Sequence, residues 1–201
     1  FHHDDRDRVT RVDRLFDHDG NLAAQWAAGV PSGDRLIARE TTDYDARGRA
    51  WRTTAYSVDP DTGTVGDGLA GDTWFDAAGN PFKQVAPGAR AFTKTGYDGL
   101  GRPVAVYTGY DLSETTADLY DVGGAAQLHL DGSTIVEQSE SLVDGAGNPI
   151  GTISRRRHHD ATGTGALTTP EGAQPRARVT YAGSWFDPLG RQMAAAELGT
   201  G

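Results

Sequence analysis

The chain contains no cysteine, which excludes disulfide staples, thiolate zinc sites and a cysteine nucleophile while leaving the redox compartment open. Large apolar residues are scarce. Leu, Ile, Val and Phe fill 35 of 201 positions, about 17%, below the roughly 20% at which a highly charged chain is expected to stay disordered. There is one methionine, Met193, and only two lysines, Lys83 and Lys94, stand beside 17 arginines, a skew that reads as lineage bias rather than function. No apolar run approaches the roughly 18 to 20 residues of a membrane helix, and no signal peptide is visible. Positive charge is short too: 28 acidic against 19 basic side chains give a net charge of −9 and a pI near 5.0. That balance lacks the electrostatic footprint of a nucleic-acid binder. Neither a membrane span in this segment nor a nucleic-acid partner is therefore expected. A chain that starts at Phe1 is expected to be a mature or excised piece.

Glycine, in contrast, is abundant at 27 residues, and much of it recurs in one phrase: aromatic, Asp, two variable residues, Gly, then Arg or Asn. Clear copies are Phe16-Asp17-His18-Asp19-Gly20-Asn21, Tyr44-Asp45-Ala46-Arg47-Gly48-Arg49, Phe75-Asp76-Ala77-Ala78-Gly79-Asn80, Tyr97-Asp98-Gly99-Leu100-Gly101-Arg102 and Phe186-Asp187-Pro188-Leu189-Gly190-Arg191. Weaker copies are Tyr120-Asp121-Val122-Gly123-Gly124-Ala125, Val143-Asp144-Gly145-Ala146-Gly147-Asn148 and His159-Asp160-Ala161-Thr162-Gly163-Thr164. A ninth, His3-Asp4-Asp5-Arg6-Asp7-Arg8, needs Asp7 in the glycine place. The period is roughly 23 residues, with insertions.

The phrase has a physical meaning. Asp at the first corner of a type I turn accepts a hydrogen bond from the backbone two residues on, and Gly at the fourth takes the left-handed conformation that closes a hairpin. The flanks read as strands: Arg90 to Tyr97 before one tip and Arg102 to Tyr110 after it, where Val104, Val106 and Thr108 alternate with Pro103, Ala105 and Tyr107. One period then holds two strands, a tight tip and a return turn. Asn21 to Ala28 is the best helix candidate and reads equally as a strand. The predicted class is all-β, built of repeated antiparallel hairpins; a generic β-sandwich with Asp-Gly turns is the alternative, and it leaves the aromatic before each Asp unexplained.

These residues resemble the tyrosine-aspartate (YD) repeat of the rearrangement-hotspot (RHS) family over nearly the whole chain. Thr95 to Val106 and Trp185 to Arg191 match best. The resemblance implies a continuous spiralling sheet, shell or solenoid-like, of the kind found in bacterial toxin complexes, polymorphic toxins and large surface proteins. It implies a single array over residues 1–201, about eight repeats long, with loops near 59–73 and 160–175, forming a stretch of a larger protein. The motif residues carrying it are Phe16, Asp17, Gly20, Tyr44, Asp45, Gly48, Arg49, Phe75, Asp76, Gly79, Tyr97, Asp98, Gly101, Arg102, Tyr120, Asp121, Gly124, Asp144, Gly147, Phe186, Asp187, Gly190 and Arg191. The aromatic positions are expected to stack as a ladder along one side.

Other constellations are weak beside this one. Asp17, Asp19 and Asn21 start like a calcium loop and Asp59 with Asp61 adds oxygens, yet glycine falls at the fourth place rather than the sixth and no bidentate Glu follows. The pairs His2-His3 and His158-His159 would point to opposite faces of a strand, a poor metal site. Arg155-Arg156-Arg157 reads as a solvated strand end. Asp187-Pro188 begins like the self-cleavage sequence of the resembled family, but Arg191 and the following Gln192 to Ala196 depart from it. No nucleophile elbow, phosphate loop or metalloprotease helix is present. No catalytic, cofactor or metal residue is assigned, and the chain is expected not to be an enzyme. The expected role is structural: part of an encapsulating or scaffolding β-shell of a secreted or surface-exposed bacterial protein, partnered by further repeats, by copies of itself through sheet edges, or by an enclosed cargo domain. A carbohydrate-binding or adhesion module presenting Trp26, Trp51, Trp74 and Trp185 is the second reading.

Overall fold

The computed structural model describes residues 1–16, 35–120, 125–168 and 175–200. Among these, twelve strands are present: β1 (His2–His3), β2 (Val9–Phe16), β3 (Arg35–Tyr44), β4 (Ala50–Val58), β5 (Val65–Phe75), β6 (Pro81–Val85), β7 (Ala91–Tyr97), β8 (Pro103–Tyr110), β9 (Thr134–Val143), β10 (Pro149–Arg157), β11 (Ala177–Phe186) and β12 (Gln192–Thr200). They are hydrogen-bonded in the order of the sequence, and a single 3-10 turn at Thr116–Leu119 interrupts the strands. The chain is all-β, as the Asp-x-x-Gly punctuation predicts. The helix candidate Asn21 to Ala28 lies outside the described residues. Two units divide the chain: residues 1–73 with 86–88, and residues 74–85 with 89–201.

In the first unit, β2, β3, β4 and β5 pair antiparallel. Threonine and half-buried alternation favour strands here, and charge does part of the work that aliphatics do elsewhere. Arg39 and Asp13 are direct cross-strand partners, and the guanidinium donates to both carboxylate oxygens at 2.7 and 3.0 Å. Arg52 and Asp72 repeat the device at 2.5 and 2.8 Å. These bidentate pairs fix register between strands with little apolar surface to do so. Residues 65–73, expected to lie in a loop, belong to β5. The reason is that Gly66 and Gly68 open room for neighbours on β4: a Cβ on Gly68 would stand 2.6 Å from Thr54 Cγ2 and 2.9 Å from the Tyr56 ring. The glycines that look like loop residues are the flat side of a strand over which large side chains lie. The turn itself is short, closed by the Gly63 amide donating to the Asp59 carbonyl at 2.8 Å.

In the second unit, β6 to β12 form an antiparallel meander, and one face is covered by its own connections. Phe92, Ile135, Leu167 and Ala177 make the buried core, with Val85, Tyr107 and Leu130 against it. Tyr107 thus faces the core while Val106 is exposed. Alongside runs a polar row of successive cross-strand partners: Lys83, Lys94, Tyr107, Gln138 and Arg155. Such a row is stable only if satisfied. The Leu167 amide donates to Gln138 Oε1 at 2.8 Å, and Arg155 meets Glu140 at 2.9 Å. The Thr-, Gly- and Pro-rich stretch from Ala161 is drawn in as far as it is described: Gly165 bridges Thr134, Leu167 is buried, and Arg157 donates to the carbonyls of Ala161 and Gly163 at 3.0 and 2.6 Å. Strand alternation splits the arginine run accordingly, with Arg156 outward on Glu137 at 2.7 Å and 80% exposed. The connection after β8 extends to residue 133 and carries Glu114 and Leu119 inward.

Candidate functional site

The repeat tip is the unit from which any site is built, and six described tips share one geometry. At Asp98 the backbone amide donates to the Arg102 carbonyl at 3.0 Å, and the Gly101 amide donates to the Asp98 carbonyl at 2.9 Å. The carboxylate then organises the turn: Oδ1 accepts from the amides of Leu100 and Arg102 at 2.9 and 3.0 Å, and Oδ2 accepts from Arg102 Nε at 2.7 Å. Asp45 with Arg49 and Asp187 with Arg191 repeat this with Nε to Oδ2 at 2.7 Å. In Asp76 with Asn80 and Asp144 with Asn148 the amide Nδ2 takes the same role at 2.9 and 2.8 Å. Arg or Asn in the last place is thus explained: both present a planar N–H donor to the second carboxylate oxygen. Gly48, Gly79, Gly101, Gly147 and Gly190 all have φ between 75° and 98°, the left-handed region expected for the fourth place.

The sixth tip is the irregular one at Asp4. Arg6 and Arg8 amides donate to its Oδ1 at 2.9 and 3.0 Å, Arg8 Nε to its Oδ2 at 2.7 Å, and Asp7 occupies the glycine place with φ 60°. An L-residue pays for that conformation, though Asp tolerates it better than most. Asp7→Gly is therefore expected to stabilise its hairpin by up to about 1 kcal/mol, less the extra entropy glycine gains when unfolded; a thermal melt with an unchanged or lower midpoint would contradict this.

Successive tips also touch. Tyr44 Oη donates to the Val9 carbonyl at 2.9 Å and Tyr97 Oη to the Pro81 carbonyl at 3.0 Å; in both cases the acceptor immediately follows the Arg or Asn of the preceding tip. The Arg8 guanidinium lies 4.6 Å over the Tyr44 ring and donates to the Asp45 carbonyl at 3.4 Å. A Cβ on Gly48 would stand 3.4 Å from Arg8, one on Gly101 3.7 Å from Asn80 Oδ1, one on Gly147 2.9 Å from Arg102, and one on Gly190 3.5 Å from Asn148 Oδ1. Gly48, Gly101, Gly147 and Gly190 are therefore seats for the Arg or Asn of an earlier described tip, a close approach as well as a positive φ. Within each unit, the described tips that touch do so through tyrosine hydroxyls and planar Arg or Asn side chains, not through the ring-on-ring stacking expected of the aromatic positions. An edge-on ring contact occurs at Phe82 and Tyr120, 5.5 Å apart at 83°, while Phe16 is 56% exposed.

The remaining motif residues are placed as follows. Tyr120 lies in the connection between β8 and β9, where its hydroxyl donates to the Phe75 carbonyl at 3.1 Å; Asp121 and Gly124 lie outside the described residues, as do Asp17, Gly20, Asp19, Asn21 and Trp26. Asp59 Oδ1 accepts from the amides of Asp61 and Thr62 at 2.8 and 2.9 Å, which is turn chemistry. Trp51 lies under the Arg52 guanidinium at 4.7 Å and Trp74 under the Lys83 ammonium at 4.7 Å, whereas Trp185 is 51% exposed. Asp187 has both oxygens engaged by Leu189 and Arg191, and these donors hold its carboxyl below the ordinary range.

The tip donors make the repeat sensitive to acid. The hydrogen bond from the Arg8 side chain, with the amides of Arg8 and Arg6, lowers the Asp4 carboxyl from an ordinary 3.8 to about 2. The Arg102 amide and side chain lower Asp98, and the Asn148 side chain and amide lower Asp144. A carboxyl depressed by folding stabilises fully above its unfolded value and loses that contribution as pH falls through its folded value. Thermal midpoints are therefore expected to hold down to about pH 4 and to fall between about pH 4 and pH 2. Asp4→Asn should flatten that slope, and a midpoint independent of pH over the window would contradict the assignment.

Sequence reading missed a second constellation. Lys83 and Lys94 are cross-strand partners on β6 and β7, and both ammonium groups contact Glu114, Lys83 at Oε2 and Lys94 at Oε1. Lys94 Nζ also donates to the His129 carbonyl, and His129 Nδ1 lies 3.5 Å from Glu114 Oε1. The side chains of Lys94 and Glu114 are fully buried. Burial lowers the Lys94 amine, against the opposing hydrogen bond and charge of Glu114. The rarity of lysine, which reads as bias, coincides with a dedicated position for each of the two. The signal available in the sequence was that both fall in one hairpin, at positions 83 and 94.

No family model matches the chain, and none of the curated proteins matches it. Among solved structures, it is similar to a chain of a TcdB2-TccC3-TEV crystal structure, at 14% identity and a TM-score of 0.36, over 98% of this chain and 10% of that one. It is also similar to a chain of a Photorhabdus luminescens Tc holotoxin pore carrying a TccC3 substitution, at 14% identity and a TM-score of 0.35, over 96% and 9%. A TcdB2-TccC3 crystal structure matches at 12% identity and a TM-score of 0.24, over 97% and 13%. The chain spans about a tenth of the length of these structures.

Proposed function

We propose that this chain is wall material: a segment of a YD-repeat β-shell of a secreted or surface-exposed bacterial protein, continued by further repeats and serving to enclose or display another domain. The observation that carries the reading is the tip ladder. Each described tip engages both oxygens of its own Asp carboxylate, and the last side chains of four of them, Arg8, Asn80, Arg102 and Asn148, lie against the glycine of a later tip. Residues that look like acid and base candidates are consumed in holding repeats to repeats, which is what a stacked array requires, since no two-stranded unit is stable alone. The terminal strand β12 pairs with β11, so its outer edge offers backbone donors and acceptors to a next strand. The test is native mass and particle imaging of the protein that contains this chain. A hollow body or an extended array with this segment in its wall is the expected result; a self-contained particle near 21.3 kDa would overturn it.

Among the described tryptophans, the exposed Trp185 is the one that favours the second reading, a glycan-binding surface. Titration with a glycan panel is expected to leave tryptophan fluorescence unquenched. Quenching that is lost in Trp185→Ala would move the adhesion reading to first place.

A further inference from the structure

Two lysine ammonium groups and one glutamate carboxylate form a buried cluster in the second unit. Lys94 and Glu114 are fully buried, and the Lys83 side chain is only 9% exposed. Aromatic rings line the cluster, with Lys83 Nζ 4.7 Å from the Trp74 centroid and Lys94 Nζ 4.5 Å from that of Phe92. Burial favours a neutral Lys94 amine, and the Lys83 charge adds to this, against the opposing carboxylates of Glu114 and Asp111. A neutral lysine amine is a nucleophile, and here it lies in direct contact with a carboxyl group whose other oxygen is held by a second ammonium.

We propose that Lys94 and Glu114 condense into an intramolecular isopeptide bond, with Lys83 stabilising the oxyanion that forms on Oε2. A proton passes from the Lys94 ammonium to Glu114, giving an amine and a carboxylic acid. The Lys94 Nζ lone pair attacks Glu114 Cδ, the N–C bond forms, and the carbonyl electron pair moves onto the oxygen that Lys83 stabilises. The bond from Cδ to the Oε1 hydroxyl then breaks, and that hydroxyl leaves as water with the proton given up by the nitrogen now bonded to Cδ, while Lys83 stays on Oε2. Amine and acid become amide and water, and no oxidant or activated donor is needed. Fixed contact supplies the driving force: well-oriented groups reach effective concentrations of about 10⁵ to 10⁸ M, far above that of the competing water. The remaining N–H keeps the acceptor that Lys94 already has, the His129 carbonyl. The bond would tie β7 to the connection after β8 across 20 residues of chain, a covalent staple in a protein without cysteine.

Peptide mapping of the intact, full-length protein tests this. After denaturation and tryptic digestion, tandem mass spectrometry is expected to show a branched peptide joining the Lys94 and Glu114 segments, lighter than their sum by one water, with no cleavage after Lys94. Two linear peptides at full mass, cut after Lys94, would overturn the proposal. K94R keeps the charge and removes the nucleophile, so the branched species should vanish; its survival would assign the bond elsewhere. In K83M the branched fraction should fall at least tenfold at a fixed time after synthesis, and an unchanged fraction would remove Lys83 from the mechanism.

Discussion

With Lys94 and Glu114 unjoined, Glu114→Gln is expected to destabilise the second unit by about 3–5 kcal/mol, the cost of breaking a buried ion pair while leaving its partners in place. The variant preserves volume, so the loss is electrostatic. Lys83 and Lys94 would face each other across β6 and β7 with no carboxylate between them, and the glutamine amide would turn a donor toward one of two groups that are themselves donors. The sign of a second substitution makes the argument specific. In the E114Q background, Lys94→Met removes a cation from a site that has lost its anion, and it should recover about 1–2 kcal/mol. Denaturant unfolding followed by hydrogen exchange at β7 reads both numbers. A single variant within about 1 kcal/mol of the parent, or a double variant less stable than the single, would show that Glu114 is not what neutralises the pair.

The contrast between this cluster and the tips explains what could be read from sequence. A tip is local chemistry: Asp98, Leu100, Gly101 and Arg102 satisfy one another within five residues, so spacing alone shows it. Asp7 could be placed in the glycine position for the same reason, because the donors around Asp4 are local. The seating of Arg102 against Gly147 was hidden, since it joins residues that only strand pairing brings together. Glu114 lies 31 residues from Lys83 and 20 from Lys94, on a connection with no periodicity to mark it. Low apolar content pointed toward disorder for a related reason. A composition count sees few aliphatics, but it does not see that Asp13 with Arg39 and Asp72 with Arg52 are cross-strand partners, or that the lysines, Gln138 and Arg155 fill the covered face beside the core.

That small core also sets the second large effect, which falls at a glycine with no unusual φ. Gly109 on β8 is buried and pairs with Phe92 on one side and Ile135 on the other. A Cβ there would stand 2.5 Å from the Thr134 carbonyl oxygen, 3.0 Å from Ile135 Cα and 3.1 Å from Ile135 Cδ1. Two of those neighbours are backbone atoms of the adjacent strand, so no side-chain rotation relieves the overlap. The methyl group must push β8 from β9 where Phe92 and Ile135, both at most 3% exposed, meet Leu167 and Ala177. Gly109→Ala is accordingly expected to cost about 3 kcal/mol, the upper part of the usual range for overpacking. Gly99→Ala provides the matched control, because nothing lies within 4 Å of its Cβ position; it should stay within about 0.5 kcal/mol of the parent. Equal midpoints for the two variants in denaturant would mean that the β8 and β9 backbones are not held together by this core. A loss confined to Gly109→Ala would place the weakest tolerance of the unit at its apolar centre, beneath the polar row rather than at the tips.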